Sequence, residues 1–270
     1  MTNLHHKNRS KLKIPARLLK PLWFRSQESL AKDGIVYDPI AAIACQRCAM
    51  AKGCLSGNVS QKQLLHSTLT SSIDRQISQF LARHPSAWII NVGAGLDTRF
   101  YRVDNGLCHW VELDASENLT WRKKLFHSSE RYFYHKGDIK NLEWLDGLNI
   151  PTQSPVMVIC EHALLDCDKS EVARFVQGIA CHFERASACL VMAGDLTQSK
   201  LGKTLGSEYY VHGYSDVKRE MLRVLPWAQD VSVISPIDRC CQRWTFWQRI
   251  ISKFPSIKYR LTPIIVQLRW

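Results

Sequence analysis

The sequence predicts an α/β fold, a mostly parallel sheet with helices on both faces. Past residue 80, short apolar runs alternate with helix-like stretches. One of those runs stops in a glycine turn, and the first 80 residues carry helical spacing instead of alternation. The 270 residues, 46% of them hydrophobic, suffice for one enzyme-sized core and exclude a disordered chain.

Seven strands are expected, near residues 87–92, 109–113, 132–136, 156–160, 188–193, 231–234 and 264–269. Asp168 can cap a helix over 169–184, with Glu171 three residues on, and Ser215 can cap one over 216–225. Ile73, Ile77, Phe80 and Leu81 are spaced to bury one face of a helix that leads into the first strand. The expected organisation is a basic helical extension over 1–80 and a sheet domain over 81–270. No repeat or low-complexity linker interrupts it.

The first strand runs directly into Gly93-Ala94-Gly95, followed by Asp97 and Arg99. Glycines let the backbone turn sharply at a strand end and approach a ligand with no Cβ in the way. Roughly 20 residues on, where a ribose-binding carboxylate belongs, the second strand closes on Glu112 and Asp114. A dinucleotide fingerprint would place a third glycine at position 98 beside a pyrophosphate, but Thr98 stands there. What remains suits a cofactor with adenosine and no phosphate, S-adenosyl-L-methionine.

The run from Asn91 to Phe100, with Val111-Glu112-Leu113-Asp114, resembles the leucine carboxyl methyltransferase family, which includes bacterial O-methyltransferases of polyketide synthesis. Tyr37-Asp38-Pro39 and Ile73-Asp74 extend the resemblance over roughly residues 35 to 240; both ends match poorly. The resemblance implies a Rossmann-like seven-stranded methyltransferase sheet with an N-terminal helical lid. It also implies methyl transfer from S-adenosylmethionine to a hydroxyl or carboxyl oxygen of a small molecule.

Strand ends supply the remaining candidates, because ligands of open α/β sheets bind beyond them. After the third strand, Asp138 could accept from the adenine amine while Ile139 offers its backbone N–H; the family resembled has a similar Gly-Asp element. After the fourth strand, Glu161 matches the family's glutamate beside the methionine part. His162 stands where that family has glycine, and reads either as a general base for a phenol or alcohol or as a residue bonded to a carboxylate. The family's arginine before Ile-Asp has no counterpart between Leu64 and Asp74, leaving Arg99 or Lys62 to meet the cofactor carboxylate. Trp23, Tyr37, Tyr209, Tyr210 and Tyr214 are candidates to stack on a planar acceptor or to fill core.

Of ten cysteines, Cys45, Cys48 and Cys54 share one segment, but no second pair completes a zinc knuckle, since Cys240 and Cys241 are adjacent. No metal is expected. Cys160, Cys181 and Cys189 read as packing residues. The net charge of +12 gathers at the two ends, from Lys7 to Arg25 and from Arg239 to Arg260. It reads as a solubilising face or as a surface for an anionic partner such as RNA, a membrane or an acidic carrier. With no long apolar run and no apolar signal core, the chain is read as cytoplasmic. Two other functions stay open: an RNA or protein methyltransferase using the basic surface, and a catalytically impaired S-adenosylmethionine-binding homologue.

Overall fold

A computed structural model describes residues 11–50, 55–239 and 242–270. Its seven strands are β1 (Trp88–Val92), β2 (His109–Asp114), β3 (Tyr132–Lys136), β4 (Val156–Cys160), β5 (Ala186–Ala193), β6 (Asp230–Ile234) and β7 (Pro263–Arg269). They form one sheet in the order β3-β2-β1-β4-β5-β7-β6. The first five strands pair in parallel, and β7 enters antiparallel between β5 and β6. Each strand lies within two residues of its expected position.

Strands β1 and β4 alternate between two cores, as the pleat requires. Ile90, Val92 and Val158 face one layer with Val172, Phe175, Val176 and Ile179 of helix α6 (Lys169–His182). Ile89, Met157 and Ile159 face the other, with Ile73, Ile77, Phe80 and Leu81 of helix α3 (Val59–Arg83). Burial on both faces explains why β4 is the uninterrupted apolar run Val-Met-Val-Ile-Cys. Helix α3 continues unbroken past residue 80, so the expected boundary falls within an element of the sheet's own core.

Helix α6 starts at the expected capping box: Asp168 Oδ1 accepts from the Glu171 amide at 2.8 Å and Glu171 Oε2 from the Asp168 amide at 2.9 Å. The helix Val217–Val224 is capped by Asp216 and not by Ser215; the Asp216 carboxylate sits where it can accept from the Arg219 amide at 3.0 Å. Cys160 and Cys189 are buried in strands, whereas Cys181 is exposed. Cys54, Cys240 and Cys241 lie outside the described residues, as do Lys7 and Arg9.

Before the sheet come α1 (Ala16–Leu30) and α2 (Pro39–Gln46), joined through Leu19, Leu22, Ala41 and Ala44 to Leu96 of the glycine turn. Asp38 fastens this pair to the body. It is fully buried, its Oδ1 accepts from the Ala41 amide at 2.9 Å, and its Oδ2 accepts from Arg25, Arg102 and Thr98. Among the described residues no helix is long and apolar enough to cross a membrane. Several basic residues of the chain's two ends are already engaged: Lys20 with Glu208, Arg25 with Asp38, Arg243 with Glu28 and Lys258 with Asp238.

Candidate active site

Strand order reverses at β1, whose neighbours β2 and β4 continue in opposite directions, and such a switch point opens a crevice at the carboxyl ends. The backbone there needs glycine. Gly93 and Gly95 hold φ of +68° and +50°, and a Cβ on Gly93 would stand 2.4 Å from that of Ala163, just after β4. Thr98, in place of a third glycine, is fully buried beside Asp38 and Arg102.

A cavity of about 170 Å³ occupies the crevice. Gly93, Ala94, Gly95 and Asp97 line it from the turn, Asp114 and Asn118 from β2 and helix α5 (Ser116–Leu125), Glu161 and His162 from the end of β4, and Arg17 and Arg25 from α1. Asp114 Oδ1 accepts from the Ala115 amide and from Asn118 Nδ2, both at 2.7 Å, and Oδ2 accepts only from the Gly95 amide, at 2.6 Å. A carboxylate oxygen carries two acceptor sites, so Oδ2 keeps one. Asn118 Oδ1 is buried with no partner. The two oxygens together match what a pair of ribose hydroxyls would donate to.

Glu112, Arg99, Asp138 and Ile139 do not line this cavity. Glu112, two residues before Asp114 on the same side of β2 but deeper, is fully buried against Arg122 at 2.6 Å, Asn91 at 2.8 Å and Tyr132 at 3.1 Å. Burial pushes its carboxyl up to about 7, with Arg122 opposing. Arg99, also fully buried, bonds Asp74 at 2.6 Å and pairs with Asp97 and Glu161 beneath the crevice. Asp138 is an exposed turn residue whose Oδ1 accepts from the Lys140 amide at 2.9 Å, and Ile139 packs on the α6-side core.

Burial would raise both Asp97 and Glu161, but the surrounding guanidiniums, Arg99 foremost, hold Asp97 well below the carboxylate range, and Arg99, ahead of His162 and His66, holds Glu161 down at about 2. Four carboxylates, Asp97, Asp114, Glu161 and Asp166, thus face two guanidiniums across the cavity. Such a surplus favours a cationic occupant.

A second cavity of about 280 Å³ adjoins the first, sharing Arg17, Pro21 and His162. The rings of His66 and His162 lie 5.2 Å apart in near-parallel planes, and each points a nitrogen at Glu161 Oε1, from 3.8 and 3.7 Å. His66 is buried and its Nε2 has no partner. Desolvation lowers both imidazoles below 6.5, Glu161 opposing, so they are neutral at pH 7. Their ligand atoms and that of Glu161 lie within 4.8 Å of one another, but Glu161 already accepts from Arg99 and, at 3.0 Å, from Thr70. Among the described residues, Cys45 and Cys48 belong to no such group; Cys54, the third cysteine of that segment, lies outside them.

Of the five aromatic candidates, only Tyr210 lines the second cavity. Tyr37 and Tyr209 are exposed and Tyr214 is core. Trp23 instead packs on Phe24, which lines the cavity from α1 with Arg17, Lys20 and Pro21. Lys62 lines the same cavity, paired with Glu208 at 2.8 Å. Asn118, Arg17, Arg25 and His66 were not singled out for the site from the sequence. Asn118 alone left a signal there, four residues after Asp114 at the start of a helix.

No family model matches the chain. It is 28% identical over 108 residues to the tetracenomycin polyketide synthesis O-methyltransferase TcmP of Streptomyces glaucescens, covering 38% of this chain and 39% of that protein. It is 30% identical over 127 residues to the S-adenosyl-L-methionine-dependent methyltransferase dpfgK of Gibberella zeae, covering 44% and 42%. The matches thus span less than half of either relative. Among solved structures, a DUF574 family protein from Streptomyces avermitilis superposes with a TM-score of 0.58 at 8% identity, over 92% of this chain and 96% of that one. The chain is therefore similar in sequence to an O-methyltransferase and to an S-adenosyl-L-methionine-dependent methyltransferase, and its seven-stranded sheet has the Rossmann-like order expected of such enzymes.

Proposed function

We propose that this chain is an S-adenosylmethionine-dependent O-methyltransferase acting on a small molecule. The observation that carries the reading is the carboxylate-rich crevice beyond β1, β2 and β4, set against a second, more apolar cavity with His162 between them. S-adenosylmethionine supplies a methyl group on a sulfonium. The residues present fit it: Asp114 and Asn118 have free acceptor oxygens for the ribose, and the carboxylate surplus matches the cofactor's net positive charge.

The amino-acid carboxylate falls to Arg17. Arg25 is tied to Asp38, Thr98 and the Leu96 carbonyl, and Arg99 to three acids, whereas Arg17 is 60% exposed with a loose 3.6 Å contact to Glu117. Calorimetry with S-adenosylhomocysteine tests the reading. Binding by the wild type is expected, with a loss of roughly tenfold in Arg17→Ala, the worth of one charged hydrogen bond. Methylthioadenosine, which has no carboxylate, should bind both proteins equally. A wild type that binds neither ligand refutes the reading.

His162 would take a proton from a hydroxyl acceptor, and the imidazolium formed would rest against Glu161, whose Oε1 lies 3.7 Å from its Nε2. Because the ring is neutral above 6.5, transfer to a phenol should be flat from neutral pH upward and decline in acid. His162→Asn should lower that rate by about 100-fold and remove the acid limb. A carboxylate acceptor is already ionised, so its methylation should be insensitive to the change.

A further inference from the structure

The two cavities differ in charge. The first carries surplus carboxylates; the second is lined by the cations Arg17, Lys20 and Lys62 against a single carboxylate, Glu208. Lys20 and Lys62 converge on the same Glu208 oxygen, at 2.5 and 2.8 Å, with side chains only 23% and 19% exposed. Burial alone would raise Glu208, but hydrogen bonds from the two lysines keep it below its ordinary value, so it stays ionised and balances one of them. Among the described residues, one ammonium is left without a counter-charge beside the apolar walls Phe24, Leu65, Leu69 and Leu165, although Lys62 also donates to the Ser56 carbonyl at 3.0 Å.

Helix α3 sets the distance between this cation and the site of transfer. Thr70, His66 and Lys62 follow one another at four-residue spacing, on one face of the helix. Thr70 bonds Glu161 at the first cavity, His66 lines the second with its Nδ1 toward Glu161 and its buried Nε2 without a partner, and Lys62 stands in the wall of the second. Eight residues of helix cover about 12 Å.

We infer that the methyl acceptor is an amphiphilic acid. Its anionic group meets Lys62 and Lys20, its flat apolar body fills the second cavity, and the oxygen to be methylated lies at the far end, hydrogen-bonded by His66 and next to His162. This rests on the proposed methyl transfer and adds the class of acceptor. His66 is a positioning residue here, and Lys20 and Lys62 set specificity.

The test uses the full chain saturated with S-adenosylhomocysteine, so a failure of cofactor binding is seen first and separately. p-Coumarate and its neutral amide, alike in shape and differing in charge, are then titrated by calorimetry. The acid should bind at least tenfold more tightly than the amide, and the preference should weaken as salt is raised. Lys62→Met and, independently, Lys20→Met should each reduce the preference at least threefold while leaving the affinity for S-adenosylhomocysteine unchanged. His66→Phe should weaken acid and amide alike, with His66→Gln restoring part of the binding. Equal binding of acid and amide, a preference that survives both lysine changes, or no binding of either compound to the cofactor-loaded protein would overturn the inference.

Discussion

Asp114→Ala is expected to weaken S-adenosylhomocysteine binding by about 10- to 100-fold, the loss of one hydrogen bond to a charged acceptor. The same change in Glu112 should act through stability, because that acid lies beneath the cavity with its oxygens given to Arg122, Asn91 and Tyr132. Asp114 also accepts from the amides of Gly95 and Ala115, so the alanine variant loses part of the turn's support. Asp114→Asn keeps the shape and one acceptor oxygen, enough for the Ala115 amide and Asn118, while removing the charge and turning an NH2 toward the Gly95 amide. Calorimetry beside thermal unfolding should show both variants with a lowered midpoint, and S-adenosylhomocysteine affinity lost at temperatures where both are still folded. Undiminished binding in both variants would remove Asp114 from the ribose site.

The sheet was legible because its signals are local. Each strand is a short apolar run closed by a turn, and β1 ends in glycines whose positive φ the sequence announces. The site was legible only in part. Glu112 and Asp114 are two residues apart in one strand and therefore point to the same side, so alternation cannot choose between them. What separates them is depth: Glu112 is met by Arg122, ten residues on in α5, and Asp114 sits at the strand's edge. Arg99 looked available because the sequence shows its charge and not its partners, which come from α3, the turn and β4. Ser215 and Asp216 are both good caps, and one residue of helix start decided between them. Arg17 and His66 carried no motif; both enter the site because helices α1 and α3 pack across the strand ends, a tertiary fact.

Arg99→Met should give the largest loss of stability. The guanidinium is fully buried and meets Asp74, Asp97 and Glu161 at once; its removal leaves Asp74 and Asp97 to Arg102 alone and takes from Glu161 the guanidinium that pairs with it. Breaking a buried pair from one side costs about 3–5 kcal/mol, enough to lower the unfolding midpoint by roughly 10 °C in a chain of this size. The deficit should depend on pH. Glu161 titrates at about 2 when folded against an ordinary 4.5, and Asp97 is depressed as well, so the folded state binds fewer protons than the unfolded one. Their contribution is therefore full above 4.5 and fades as pH falls toward 2, and the gap between wild type and Arg99→Met should close over that same window. Arg99→Lys should recover little, because one ammonium cannot span three acids as the fork of a guanidinium does. An Arg99→Met protein that unfolds with the wild-type midpoint at pH 7 would mean that the network is not what ties α3, the glycine turn and the end of β4 together.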